Sequence, residues 1–240
     1  MFDPASIDWG LFGLWYVVFL FSLTVHEGAH ALAAHWGGDD TAYRNGQVTL
    51  NPLPHIRQEP FGTLVFPALS FLWFGWMMGW ASTPFDPFWA RREPRRAALM
   101  SAAGPLGNFL LAFLALVLCK VLIGAGTLAA PEQASFDLVV VPPGAVEAGA
   151  GLALAHALSM TLMLNALLGL FNLVPLPPLD GSGILLGLLP DATADRVREL
   201  FSSPGVGLIG MMVAWYGFGR VFSPVFGLIL AFLHPGMYSR

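Results

Sequence analysis

His26-Glu27-Gly28-Ala29-His30 sets two imidazoles four residues apart, with a carboxylate beside the first. On a helix, residues i and i+4 share a face, so both rings reach one metal ion. The adjacent glutamate then stands where it can take a proton from water polarised by that ion. A catalytic zinc uses three protein ligands and keeps a further position open, so a third His, Asp or Glu is expected on another segment. Asp180 is the only acid between Glu147 and Asp191 and is the candidate. Before it, in Phe171-Asn172-Leu173-Val174-Pro175-Leu176-Pro177-Pro178-Leu179, three prolines in four positions break a helix and free its carbonyls. Asp180 also stands where it would cap the following helix, Gly181 to Leu189, and the two roles are compatible. The Asn172 amide can donate to the oxyanion formed when water attacks a peptide carbonyl. Asn165 lies two turns earlier on the same face and competes for that role, and a membrane asparagine also serves simple interhelical hydrogen bonding.

The elements that carry these residues are apolar. Of 240 residues, 56% are hydrophobic and only 11% charged, against about 25% charged in soluble domains. Mean hydropathy is +0.67. So little polar side chain cannot cover a soluble surface, nor is the chain disordered. Runs free of Asp, Glu, Lys and Arg extend over Trp9–His26, Phe61–Phe85, Ala97–Cys119, Ala148–Leu179, Phe201–Gly219 and Val221–Ser239. Several exceed the roughly 18 apolar residues that cross a bilayer. The expected fold is an all-α polytopic membrane protein with about five transmembrane helices plus a re-entrant hairpin at 61–81. It forms a single integral membrane domain, 1–240, without soluble module or internal repeat. The first run has no preceding Lys or Arg and leads straight into the His-Glu motif, unlike a cleavable signal peptide. One cysteine, Cys119, excludes an internal disulfide and a thiolate zinc cluster. A net charge of −4 indicates no nucleic-acid surface. In such surroundings Glu27 costs about 2.5–3.5 kcal/mol on insertion scales, a cost rarely met without a role.

Basic residues set the orientation. Arg91, Arg92, Arg95 and Arg96 place 82–96 in the cytoplasm, and Arg196 and Arg198 do the same for the loop after Asp180. The segment 124–147 carries Glu132, Asp137 and Glu147 without Lys or Arg and belongs outside. Arg240 draws the C-terminus inside, with Arg220 at an outer hairpin between the last two runs. Asp180 then lies toward the cytoplasmic half. His26 and His30 must share its depth, so the N-terminus is outside and the loop 37–60 inside. With 82–96 also inside, residues 61–81 must enter and return, turning near Gly75, with Pro67 interrupting the way in.

The chain resembles the site-2 protease family of intramembrane zinc metalloproteases, in its short bacterial form without PDZ or CBS domains. The likeness rests on His26-Glu27-x-x-His30, on Ala103-Gly104-Pro105-Leu106-Gly107-Asn108, and on Phe171-Asn172-Leu173 through Pro177-Pro178-Leu179-Asp180-Gly181, and it covers roughly residues 11–190. It implies one zinc ion held by His26, His30 and Asp180, Glu27 as general base, and Asn172 orienting the substrate or stabilising the oxyanion. It also implies transmembrane protein substrates and a multi-pass place in the cell (inner) membrane. The motifs Asn51-Pro52-Leu53-Pro54-His55 and Gly79-Trp80-Ala81-Ser82-Thr83-Pro84 fit the subgroup less closely. An expected Asp-Pro after His55 is replaced by Arg57-Gln58-Glu59-Pro60, and an expected lysine after Ala81 is missing, so no role for His55 is inherited. His35, His156 and His234 read as interfacial.

Two other readings stand beside this one. The same residues would suit a catalytically inactive membrane scaffold or a metal transporter, although Ala97–Cys119 and Phe201–Gly219 carry no acid or histidine for a transport path. A different His-Glu-x-x-His protease would take a later glutamate as third ligand, and Glu199 is the only one. The runs 201–219 and 221–237 are accessory to the core motifs and, with the hairpin, candidates for a gate. The loop 37–60 and the broken backbone before Asp180 are candidates for pairing with an unwound substrate.

Overall fold

The computed structural model describes residues 7–144 and 149–238. Its helices are α1 (Trp9–Gly37), α2 (Thr41–Arg44), α3 (Leu53–Gln58), α4 (Phe66–Phe74), α5 (Pro87–Arg92), α6 (Pro94–Gly124), α7 (Ala150–Asn172), α8 (Asp180–Leu188), α9 (Asp191–Phe201) and α10 (Val206–Leu233), with a π-helical turn (Phe61–Val65) leading into α4. Among the described residues there is no β-strand, only isolated bridges at Ala129–Val141 and Ser135–Leu138. α1, α6, α7 and α10 are each long and apolar enough to cross a bilayer. This is an all-α polytopic membrane protein. Glu147 and Arg240, used in the charge argument, lie outside the described residues.

The last two apolar runs differ from expectation. They form one continuous helix, α10, which passes through Arg220, so the described residues hold four long apolar helices where about five spans were expected. A charge interrupts a hydropathy run but not a backbone, and arginine is a strong helix former. Arg220 lies exposed with its guanidinium 5.7 Å from the Tyr216 ring centre. Pro224 falls inside the same helix without ending it. α1 continues past the uncharged run, through Ala-rich turns to Gly37, so the whole His-Glu motif sits within a helix.

The chain divides into two compact units. One comprises residues up to Thr24, Leu50–Ser82 and Leu111–Asn165; the other comprises Val25–Thr49, Thr83–Leu110 and the chain from Ala166. In the first, residues 61–81 form the expected hairpin, helical on the way in and without regular secondary structure on the way back. Gly75 makes the turn at φ 77°, a left-handed value that favours glycine. Pro67 does not interrupt the helix. It lies in the first turn of α4, where its missing N–H is tolerated. Carbonyls near it find other donors: Trp80 N–H bonds Gly62 O at 3.1 Å, and the Tyr16 hydroxyl bonds Leu64 O at 2.7 Å. Met78 N–H bonds Ser70 Oγ at 2.8 Å. The two arms meet backbone to backbone, since a Cβ on Gly79 would stand 2.2 Å from Gly62 O. In this unit Asn165 spends its amide on Ser22 Oγ and Thr161 O, each at 2.8 Å. His55 is buried here on α3.

In the second unit the chain leaving α1 is pinned by Asp39. Its carboxylate accepts from Thr41 Oγ1 at 2.6 Å, Thr41 N–H at 2.9 Å and Asp86 N–H at 2.8 Å. Burial alone would raise its pKa, but these donors outweigh burial and hold the carboxyl below its ordinary value. The Trp89 indole bonds Gly37 O at 3.0 Å and packs with Ala34 and Met100. α8 lies tight on α6, because a Cβ on Gly187 would stand 2.4 Å from that of Ala98. α10 approaches the proline-rich link just as closely, Gly210 facing Pro177 O.

Candidate metal centre

All the residues of this site belong to the second unit. α1 presents His26 and His30 on one face, with ring centres 4.6 Å apart. α7 ends at Asn172, and the link Leu173–Leu179 turns the chain into α8, whose first residue is Asp180. The turn is sharp enough that a Cβ on Gly181 would lie 2.4 Å from both Leu173 O and Val174 O. Glycine is therefore required next to the aspartate. Leu179, not Asp180, occupies the capping position, and no side chain caps α8. The Asp180 carboxylate instead faces the imidazoles, with Oδ2 3.1 Å from His26 Nε2 and Oδ1 3.2 Å from His30 Nε2. The two Nε2 atoms are 3.0 Å apart.

Protonation makes this geometry informative. His30 Nδ1 lies 2.7 Å from the Met100 carbonyl, and His26 Nδ1 lies 2.6 Å from Asn108 Oδ1. Both partners only accept, so each neutral ring carries its proton on Nδ1 and presents a bare lone pair at Nε2. With both rings neutral, two lone pairs and a carboxylate converge with no hydrogen between them. Asp180 Oδ2 is buried with no hydrogen-bond donor. Such a cluster is repulsive until a proton or a metal cation lies within it. Separations of 3.0–3.2 Å approach the edges, about 3.3 Å, of a tetrahedron with zinc–ligand distances near 2.0–2.1 Å. The donor set and the orphaned oxygen fit a zinc ion. His26, His30 and Asp180 are the only such group of three among the described residues.

Residues 14–214 match Peptidase family M50. The chain belongs to that family, the site-2 proteases. It is 34% identical over 184 residues to "Putative zinc metalloprotease YwhC" of Bacillus subtilis, covering 76% of this chain and 72% of that protein. To "Putative zinc metalloprotease Rip2" of Mycolicibacterium smegmatis it is 30% identical over 176 residues, 73% of this chain and 57% of that protein. No solved structure matches the chain. Membership makes this chain a zinc metalloprotease. Glu199 lies exposed on α9 and is no part of the cluster.

Glu27 is buried, and its Oε2 accepts from the Thr83 hydroxyl at 2.6 Å. Asn172 turns its amide back on α7, donating to Leu168 O at 3.0 Å. Asn165, the competing amide, belongs to the other unit. His35 bonds Asp40 at 2.8 Å and stacks on Tyr43, while His156 faces Asp137 O at 3.0 Å. Neither is in the cluster, and neither is His55.

Several site residues carried no sequence signal of their own. Asn108 and Met100 hold the two imidazoles from α6. Gly104, on the same helix, lies against their Nε2 edges: a Cβ there would stand 2.3 Å from His30 Nε2 and 2.7 Å from His26 Nε2. Pro105 beside it withholds an N–H from the Ser101 carbonyl inside α6. Asn108 and Gly104 lay within a motif already quoted for the family likeness. Thr83 belongs to the Gly79–Pro84 motif, from which an expected lysine is missing.

Proposed function

We propose that this M50 protease is an intramembrane endopeptidase that hydrolyses peptide bonds within or near transmembrane segments of membrane proteins. We assign one zinc per chain to His26, His30 and Asp180. The convergence of two deprotonated Nε2 atoms and a carboxylate within a long apolar helix bundle carries this reading. Bound there, zinc supplies Lewis-acid polarisation of a carbonyl and of water, bringing the water's pKa toward 7.

The chain's own residues do the rest. The Nδ1 bonds to Asn108 and Met100 fix the rings and keep Nε2 available. Glu27, adjacent to His26 in sequence and buried, takes the proton of the attacking water and returns it to the leaving amine. Asn172 uses one amide N–H on Leu168 O and retains a second for the substrate carbonyl or the developing oxyanion. A substrate helix must unwind first, since its carbonyls are engaged by its own hydrogen bonds.

For orientation, we place the chain in the bacterial cell (inner) membrane with the start of α1 outside and the basic segment 82–96 in the cytoplasm, residues 61–81 as a re-entrant hairpin and 1–240 as one functional domain. With α10 as one continuous span, we place its C-terminal end on the face opposite α9, in place of the cytoplasmic C-terminus that a hairpin at Arg220 would give.

Replacing Glu27 with Gln should leave zinc in place and abolish cleavage, so that single-span proteins accumulate in membranes carrying the variant when compared by proteomics with wild type. Undiminished cleavage by the Gln form would reject the assignment of Glu27.

A further inference from the structure

The reading of Glu27 as general base leaves open what aims its carboxylate. A glutamate has three rotatable bonds, and a base must meet its proton within hydrogen-bond reach. We propose that Thr83 is the positioning residue of that base: its hydroxyl clamps Glu27 so that one carboxylate oxygen is held and the other faces the reacting water. The proposal rests on the function assigned to Glu27 above.

Three observations support it. Thr83 Oγ1 lies 2.6 Å from Glu27 Oε2, the short range of a hydrogen bond to a charged oxygen. The same hydroxyl lies 3.1 Å from the backbone carbonyl of Glu27. One donor thus spans the side chain and main chain of a single residue, which fixes the rotamer as well as the position. Finally, Thr83 comes from the chain entering α5, 56 positions from Glu27 in sequence, while Ser82 beside it holds a different carboxylate, Glu59 Oε1, at 2.7 Å. Neighbouring hydroxyls therefore each secure one glutamate. With Oε2 committed to Thr83, Oε1 is the atom that receives the proton. A misplacement of about 1 Å at a reacting group costs up to about a hundredfold in rate.

The test compares wild type with Thr83→Val, which keeps the shape and loses the donor, and Thr83→Ser, which keeps the donor. The full chain is used, zinc-loaded in detergent. The first readout needs no substrate. In protein labelled with 13C at glutamate carboxyls, the infrared carboxylate band that vanishes in Glu27→Gln belongs to Glu27. It should shift in Thr83→Val and stay in place in Thr83→Ser. The second readout is cleavage of a single-span membrane protein, purified with its transmembrane segment intact, in the same detergent. Thr83→Val should lower kcat about ten- to a hundredfold with KM and zinc content unchanged, while Thr83→Ser stays within a few-fold of wild type. A Glu27 band indifferent to Thr83→Val, or a Val variant with wild-type kcat, overturns the proposal. So does a loss that Ser fails to restore, which marks Thr83 as merely structural. Wild-type protein that cleaves nothing counts against the proposed function instead, and the infrared arm still decides the Thr83 contact.

Discussion

Gly104→Ala adds one methyl group and tests the metal centre directly. Its Cβ would lie 2.3 Å from His30 Nε2, 2.6 Å from His30 Cε1 and 2.7 Å from His26 Nε2, where ordinary contact begins at 3.4 Å. Relief at His30 requires a withdrawal of 3.4 − 2.3 = 1.1 Å. The neighbours that would have to give are the Nε2 atoms to which the zinc is assigned. If α6 moves back by that amount, the Nδ1 bonds of 2.6 and 2.7 Å to Asn108 and Met100 lengthen beyond hydrogen-bonding range. If the rings rotate instead, their lone pairs no longer converge. Loss of one such outer partner costs about 10- to 100-fold in metal affinity. With both imidazoles disturbed, zinc affinity should fall about 10²- to 10⁴-fold, or about 3–5 kcal/mol. The assay is zinc per chain by mass spectrometry after dialysis against a graded chelator, with circular dichroism to confirm helicity. Alanine is the better helix former, so a weakened α6 does not explain a loss. Gly107→Ala is the control, since its Cβ would meet Ala29 and Val25 at an ordinary 3.4 Å and should leave zinc untouched. A Gly104→Ala protein that holds zinc as tightly as wild type would show that the ion does not lie between these rings.

Acid should weaken the attachment of the chain leaving α1. The Asp39 carboxyl is held below its ordinary pKa in the folded state. The unfolded chain therefore binds a proton that the folded one does not, and stability from this group is complete above about pH 4 and lost as pH falls through the folded value. The gap in Tm between wild type and Asp39→Asn should be widest near neutral pH and close under acid; a gap independent of pH would refute it. Topology is open to cysteine labelling, because the one native cysteine, Cys119, is buried. Cysteines at exposed Asn45 and Arg91 should label from the same side of the membrane, and those at exposed Ser203 and Met237 from opposite sides. Labelling of 203 and 237 from one side would restore a hairpin at Arg220.

Much of the site could be read from spacing. His26 and His30 declare themselves because four residues make one helical turn, and Asp180 because a lone acid after a long uncharged run has few reasons to be there. Gly75 was legible as a turn because charge on both flanks required the chain to come back. What escaped was of two kinds. Asn108 and Thr83 reach the motif from 82 and 56 positions away, and no local periodicity reports a long-range hydrogen bond. Gly104 acts by lacking a side chain, and glycine is common throughout this chain. The continuity of α10 escaped because hydropathy measures the cost of a charge in lipid, whereas helix formation is decided by backbone bonds. Arg220 is expensive on the first measure and favourable on the second.

The hairpin after α3 bears on how such a chain is made. The hydrogen bonds described for its return arm run to Gly62, Ser70 and Glu59, and Tyr16 on α1 serves its descending arm. Every one of these partners has been synthesised by the time Ser82 leaves the ribosome. The wedge can therefore knit its own polar backbone as it emerges, without waiting for downstream helices to shield it from lipid.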